Sequence, residues 1–503
     1  MPLLRPEDER FIRESRRDPE EVARQAAALL APRQALDVLR PATLGDGIAE
    51  LSPDRGDAAL EAHAEAARAG RLSCFVPASG AGTRLFSSLL HVSRAGRTTL
   101  ADIRALADQG DPVAADALHV LVNVRSLAIW PALEARGCEP AATPRILETL
   151  LGEGGLRYDL SPKGLIPFHL YAGAVRSAFI EHAHDAVALT RDGGGGGRLH
   201  ITVSPSHEAR FRSEWERHRR IVEQEAGAHL QFEVSVQSPR TDAVGIDAAG
   251  KLVRDEAGLV LFRPGGHGAL LGNLAGSGGD VVFVRNIDNV GRRDSSAGAL
   301  ACRRQMCGLL LQLEAAVHRA IRSLRRGLPM ASIHPDVDGG WWTAPDPAWP
   351  GARGRAHLLD QLNRPIRVCG VVPASGHVGG GPFWARAGDA VPSLQIVERA
   401  ELDATSATVR AALERSTHFN PVDMVCAIRD VDGRPFALHD FAAAERVIVT
   451  EKSVNGVSSR VYEHPGLWNG GMARWLTLFV EIPASTFTPV KSLSDLLGVG
   501  HRP

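Results

Sequence analysis

Only four of the 57 Lys and Arg residues in this chain are lysines: Lys163, Lys251, Lys452 and Lys491. Where arginine supplies nearly every positive charge, a retained lysine marks a place that needs a compact, strongly hydrated point charge and has no use for a planar fork. Three of the four sit in Ser161-Pro162-Lys163-Gly164, Thr450-Glu451-Lys452-Ser453 and Thr488-Pro489-Val490-Lys491, surroundings suited to phosphate. The competing reading is chance survival. A second chemical signal is the loop Ser79-Gly80-Ala81-Gly82-Thr83-Arg84. Between an apolar run and a helix-like pattern, such a loop turns backbone N–H groups and a helix N-terminus toward an anion. It is neither a Walker A loop nor a dinucleotide fingerprint, because the Gly-Lys-Ser/Thr and the third glycine are both missing. An ordinary strand-to-helix turn is its bland alternative.

Two further loops carry chemistry. In Arg263-Pro264-Gly265-Gly266-His267-Gly268, three glycines in four residues permit close backbone approach to a flat ligand. His267 alone would more often be structural than catalytic. In Arg285-Asn286-Ile287-Asp288-Asn289, Asp288 closes an apolar run and suits a hard cation such as magnesium. An Asx-turn cap is the alternative for that aspartate. The D-x-D at Asp430-Val431-Asp432 precedes Gly433 and reads as a turn.

These loops require strands that stop where they begin. Leu72–Val76, Leu199–Val203, Phe232–Val236, Leu259–Phe262 and Val281–Val284 read as short strands alternating with helical stretches, the longest helix spanning about 297 to 326. Such alternation predicts a mainly parallel sheet wrapped by helices, with ligands at the carboxyl ends of the strands. Residues 8–40 and 57–70 are Ala-, Arg- and Glu-rich at helical spacing and predict a helical cap over 1–70. A core over 71–400 with a helical insertion at about 99–158, and a C-terminal part over 401–503, complete the expected organisation. The five glycines Gly193–Gly197 predict a surface loop.

Composition sets the exclusions. At 503 residues and 44% hydrophobic the chain can bury a large core, and a net charge of −1 gives no general footprint for nucleic acid. Six scattered cysteines without a C-x-x-C, and no apolar stretch following Met1, predict a reduced, cytoplasmic protein. No run of about 18 apolar residues is present, so no membrane partner is expected.

The order G-x-G-T-R, P-K-G, P-G-G-H-G, N-I-D-N, F-N-P and F-x-P-V-K-S-x-S-D-L-L, over roughly 70 to 500, resembles the UDP-sugar pyrophosphorylases of the nucleotidyltransferase superfamily. The whole chain is also similar to an uncharacterised bacterial family, a domain of unknown function related to those enzymes. The resemblance implies an α/β fold: a Rossmann-like mixed, mainly parallel sheet of the nucleotide-diphospho-sugar transferase (GT-A-like) type with helical additions. It implies that Gly80, Ala81, Gly82, Thr83 and Arg84 cradle nucleotide phosphates, with Lys163 as cationic clamp. Gln237 would read the base edge together with Gly265, Gly266, His267 and Gly268. Asp288 would bind Mg2+, Asn286 would lie near the shared phosphate, Glu398 and Asn420 would hold sugar hydroxyls, and Lys491 would reach the phosphates.

The implied reaction joins a sugar 1-phosphate to a nucleoside triphosphate, UTP before CTP, with release of pyrophosphate. No protein nucleophile is required; positioning two anions and neutralising their charge does the work. A catalytically inactive nucleotide-sugar-binding protein and a glycosyltransferase of related fold are the other classes. The sequence departs from the family pattern in three places. Ser79 stands where a Gly-Gly pair is usual, and Lys163 lies about 79 positions beyond the glycine loop. The segment 364–384 has no counterpart. The C-terminal β-helix by which some relatives assemble is not expected after Leu497.

Overall fold

The structure is a computed structural model that describes residues 4–32, 35–51, 53–329, 351–374, 380–386, 391–403, 405–454 and 457–502. The chain folds as two compact units, each gathered from three stretches. The first comprises Met1–Ala66, Val236–Val284 and Arg303–Ile482; the second comprises Ala67–Ser235, Arg285–Cys302 and Pro483–Pro503. This interleaving differs from the consecutive blocks expected from the sequence.

In the second unit the strand Leu72–Pro77 pairs in parallel with Gly196–Val203, from Cys74 opposite Leu199 to Pro77 opposite Thr202. His229–Val236 follows next in the sheet. Residues 72–76 are all buried, as a continuous apolar run demands when both faces are covered. The helix Ala178–Thr190 is also buried nearly all round, although it carries Glu181, His182, His184 and Asp185. Those polar groups therefore need partners inside the protein. The stretch after the glycine loop is helical, as expected. Leu100–Asp108, Pro112–Val122, Trp130–Glu134 and Thr143–Leu151 follow in turn, and Asp111 caps the second of them by accepting from the Val113 and Ala114 amides. Of the five consecutive glycines, Gly193–Gly195 turn the chain, while Gly196 and Gly197 already belong to the next strand.

In the first unit, Gly47–Glu50, Leu476–Glu481 and Ile366–Pro373 run parallel, with Asp423–Ala427 antiparallel on the last of them. A separate antiparallel sheet joins Asp37–Pro41, Gly381–Arg386 and Ser393–Val397, and another joins Ile448–Val454, Val457–Glu463 and Gly245–Ile246. The expected helical cap is thus only partly helical. Pro6–Glu14, Pro19–Leu30 and Pro53–Arg68 are helices, but residues 37–50 supply strands to two sheets. Leu259–Phe262 carries one isolated bridge, at Val260, and no strand. The long helix is present as Ala297–Arg325. The unplaced segment 364–384 is mostly two strands, with residues 375–379 outside the described part. Mixed α/β, with parallel pairing predominant in the largest sheet, is therefore the observed class.

Candidate functional site

The second unit builds its site on the strand Leu72–Pro77. Pairing continues past the strand end through Ala78 N–H to the Thr202 carbonyl at 2.8 Å, and the Ser79 carbonyl accepts from Ser204 Oγ at 3.2 Å. The glycine loop then turns onto residues 159–163. Gly82 N–H donates to the Ser161 carbonyl at 2.8 Å, and Lys163 N–H donates to the Gly80 carbonyl at 3.0 Å. Thr83 Oγ1 donates to the Asp159 carbonyl at 2.9 Å. A Cβ at Gly82 would lie 2.5 Å from Ile166 Cδ1 and 2.8 Å from the Tyr158 carbonyl oxygen, so only glycine fits there. At Gly80 a Cβ would meet open space, leaving that backbone accessible. The 79-residue gap between loop and lysine is therefore closed in space by the helical insertion, which leaves after the loop and returns beside it.

Lys163 Nζ donates to Asp288 Oδ2 at 2.9 Å, and Lys491 Nζ donates to the same oxygen at 2.9 Å. Two ammonium groups thus share one carboxylate oxygen. The Lys163 and Asp288 side chains are 12% and 14% exposed, whereas Lys491 is 63% exposed. Burial disfavours the Asp288 anion, but Lys163 and Lys491 outweigh it and hold the carboxyl below its ordinary range. Burial lowers the Lys163 ammonium, against the opposing pull of Asp288. The lysine-bearing segment is itself fixed. Val490 N–H donates to the Asp288 carbonyl at 2.8 Å, Thr488 N–H donates to Asn289 Oδ1 at 3.0 Å, and Asp495 accepts from the Lys491 and Ser492 amides. Asp288 is no Asx-turn cap: its side-chain bonds go to the lysines. Asn286 lies in the same turn, closed by Asn289 N–H to its carbonyl, and Arg84 is exposed at the end of the glycine loop.

The first unit gathers the residues expected at base and sugar. Gln237, just after the strand His229–Val236, is buried, and its amide Nε2 has no hydrogen-bond partner. Such a donor is costly to leave idle and is suited to a ligand acceptor. The glycines at 265–268 have a more local cause. A Cβ on Gly265 would strike the Thr241 carbonyl, one on Gly268 would strike the Pro465 carbonyl, and Gly266 has φ +70°. These two close approaches are to the protein's own backbone, which accounts for the glycines without a flat ligand. His267 stacks on Trp468 with ring centres 4.0 Å apart and planes within 4°. Its Nδ1 accepts from Leu467 N–H, and burial brings it down to about 4, so it is neutral with the proton on Nε2.

Trp468 Nε1 reaches Glu398 Oε1 at 3.4 Å, linking His267 to Glu398. Burial and the nearby Glu401 push the Glu398 carboxyl upward. Glu401 accepts from Arg446 and from Asn469, which fixes the corner. Asn420 is used otherwise: its amide donates to the Gly370 carbonyl at 2.6 Å and its oxygen accepts from Val422 N–H at 3.1 Å. Both ends of that side chain hold a turn in which Val422 has φ 57°, a costly conformation for a β-branched residue. The lysine signal also divides. Lys452 is paired with Glu463 at 2.7 Å, and Lys251 sits on an exposed turn. Asp430 accepts from the Asp432 and Arg434 amides, so the D-x-D is a turn.

Trp468, Glu401 and Asn289 were not singled out from the sequence. Trp468 lies within a Gly-Leu-Trp-Asn-Gly-Gly stretch whose glycine density was the available signal. Among the described residues no group of three or more His, Cys, Asp and Glu is arranged to hold a metal, and no helix is long and apolar enough to cross a membrane. All six cysteines are buried.

A search of curated protein sequences finds no match. Among solved structures, the chain is similar to a UDP-glucose pyrophosphorylase G45Y mutant from Leishmania major in complex with UDP-glucose. Identity is 12%, coverage is 97% of this chain and 77% of that one, and the TM-score is 0.48. It is also similar to a uridine diphosphate N-acetylglucosamine pyrophosphorylase from Trypanosoma brucei, at 13% identity, 95% and 74% coverage and a TM-score of 0.48. A UDP-glucose phosphorylase from Trypanosoma brucei gives 12%, 98% and 80%, and 0.47. Residues 5–502 match one family model, and the chain belongs to that family, described as Domain of unknown function (DUF4301).

Proposed function

We propose that the chain is a sugar-1-phosphate nucleotidyltransferase that joins a sugar 1-phosphate to UTP and releases pyrophosphate. The observation that carries this reading is the pair of ammonium groups on Asp288, fixed beside a glycine loop whose Gly80 backbone is open. Two cations focused on one oxygen form a socket for phosphate oxygens, which would take over bonds now made to the carboxylate. The chemistry needs no nucleophile from the protein. The sugar phosphate oxygen attacks the α-phosphorus in line, the bond to the β,γ-pyrophosphate breaks, and the leaving group carries away its electron pair. Lys163 and Lys491 neutralise the charge that develops, Thr83 and Gly82 hold the loop in shape, and Arg84 meets the outer phosphate oxygens. In the first unit, Gln237 has an idle amide donor suited to a base edge, and Glu398 has a carboxyl suited to accept from sugar hydroxyls.

Magnesium is part of the same reading. Asp288 offers a single carboxylate, which suits an ion that takes one or two carboxylates and fills its remaining positions with phosphate oxygens and water. When bound, the ion would supply charge neutralisation on the phosphates. Asp288 would be its protein ligand, and the lysines would turn from the carboxylate to the phosphates.

Pyrophosphate release measured across a panel of sugar 1-phosphates with UTP, CTP, GTP and ATP tests the proposal. Turnover with one sugar phosphate, and UTP preferred, is expected. Tight UDP-sugar binding without turnover on any pair would refute it in favour of a nucleotide-sugar-binding protein.

A further inference from the structure

Lys491 is the exposed member of the lysine pair, and a long side chain on a surface segment holds its place only if the segment is anchored. The anchor lies in the interior of the same unit. Glu181 on the helix Ala178–Thr190, His169 on the strand Pro167–Tyr171 and His501 in the C-terminal tail are 1%, 0% and 7% exposed. His169 Nδ1 lies 2.8 Å from Glu181 Oε1, and its Nε2 lies 2.8 Å from His501 Nδ1. The Tyr171 hydroxyl donates to the same Glu181 oxygen at 2.7 Å, and the Arg176 guanidinium stands 3.9 Å from the other. His501 belongs to the tail segment that packs, through Gly500, against Thr488, three residues before Lys491.

His169 uses both ring nitrogens, one toward Glu181 and one toward His501, so a buried carboxyl on the helix fixes the ring that meets the tail. The tail is packed accordingly. Arg292 N–H donates to the Gly500 carbonyl at 3.1 Å, and a Cβ at Gly500 would lie 2.5 Å from Thr488 Cγ2.

We propose that Glu181, His169 and His501 are positioning residues for Lys491, clamping residues 488–491 from behind so that the ammonium stays on the phosphate site. The catalytic half of this inference rests on the function proposed above; the mechanical half does not. A satisfied buried histidine that merely stabilises the unit would act everywhere in it, whereas a clamp acts on one loop.

The test uses the full chain as wild type, His501→Ala and His501→Gln, with amide hydrogen exchange and steady-state kinetics on the same preparations. His501→Ala should raise exchange over residues 486–495 by about tenfold or more while the helix Ala178–Thr190 and the strand Leu72–Pro77 keep wild-type rates. It should lower kcat by about 10- to 100-fold with KM for the sugar 1-phosphate changed by no more than about 2-fold. His501→Gln should recover much of both, because its side-chain amide can still bond to His169 Nε2. Unchanged exchange over 486–495, a rise spread through the whole unit, or a loosened loop with undiminished kcat would each overturn the inference. If the wild-type chain shows no turnover while the exchange result holds, the reaction is refuted and the anchoring of the loop stands.

Discussion

Replacing Asp288 by Asn should cost stability as well as activity, and the size of the loss follows from the geometry. At 2.9 Å the gross attraction between Asp288 and one ammonium is roughly 6 kcal/mol for an effective dielectric constant near 20. Desolvation offsets part of it, and breaking a largely buried pair typically costs about 3–5 kcal/mol. Lys163 belongs to that class. Lys491 is 63% exposed, and its share is below about 1 kcal/mol. Asparagine keeps one oxygen to accept a hydrogen bond but leaves two like charges facing each other. The expected net loss is about 3 kcal/mol. Urea unfolding of Asp288→Asn, Lys163→Met and the double variant measures it, and the cycle should return a coupling of about 2 kcal/mol. Lys491→Met should lose less than about 1 kcal/mol. A loss below about 0.5 kcal/mol in Asp288→Asn, or strict additivity in the cycle, would show that the triad is a crowded surface feature and not a cohesive element. In the proposed reaction the same variant should lose about 10²-fold or more in kcat.

Three other outcomes are expected. Lys163→Arg and Lys491→Arg should each lose about tenfold or more in kcat/KM, because a planar fork cannot share one oxygen as two point charges do, while Lys251→Arg is silent; equal behaviour of all three removes the meaning given to lysine scarcity. Gln237→Ala should narrow the preference for UTP over ATP by about tenfold or more, read from kcat/KM for each nucleotide, and an unchanged ratio would take the base site elsewhere. Burial holds His267 and His501 at about 4 and His184 at about 3, so between about 6.5 and 4 the unfolded chain binds protons that the folded chain refuses. The melting temperature should therefore fall as pH drops through that window, with a shallower slope in His267→Gln; a flat profile contradicts the burial argument.

What the sequence disclosed and what it concealed divide along the range of the interactions. The glycine loop, the helical insertion and the long helix depend on local pattern, and all were legible. Residues 37–50 were not, because their strands exist only through partners such as Gly381–Arg386 far along the chain, and pairing overrides local preference. Lys163, Asp288 and Lys491 were each visible as chemistry, yet nothing in their spacing announces that three groups from distant segments share one oxygen. Glycine at 265 and 268 was read as room for a ligand because a missing side chain looks the same whether the neighbour is a nucleotide or the carbonyl of Pro465. The clamp on His501 left no trace, since a single histidine near a run of glycine has no periodicity to betray it.

The interleaved build of the second unit has a temporal consequence. Asp288 and Lys491 are 203 residues apart, so a ribosome adding about 5–20 residues per second leaves the aspartate waiting roughly 10–40 s for its second cation. During that interval the nascent chain carries the glycine loop and Lys163 but no tail to close over them. The proposed capacity to grip a triphosphate would therefore arrive last, when residues 483–502 dock, and a chain stalled before that point would be a partly built product.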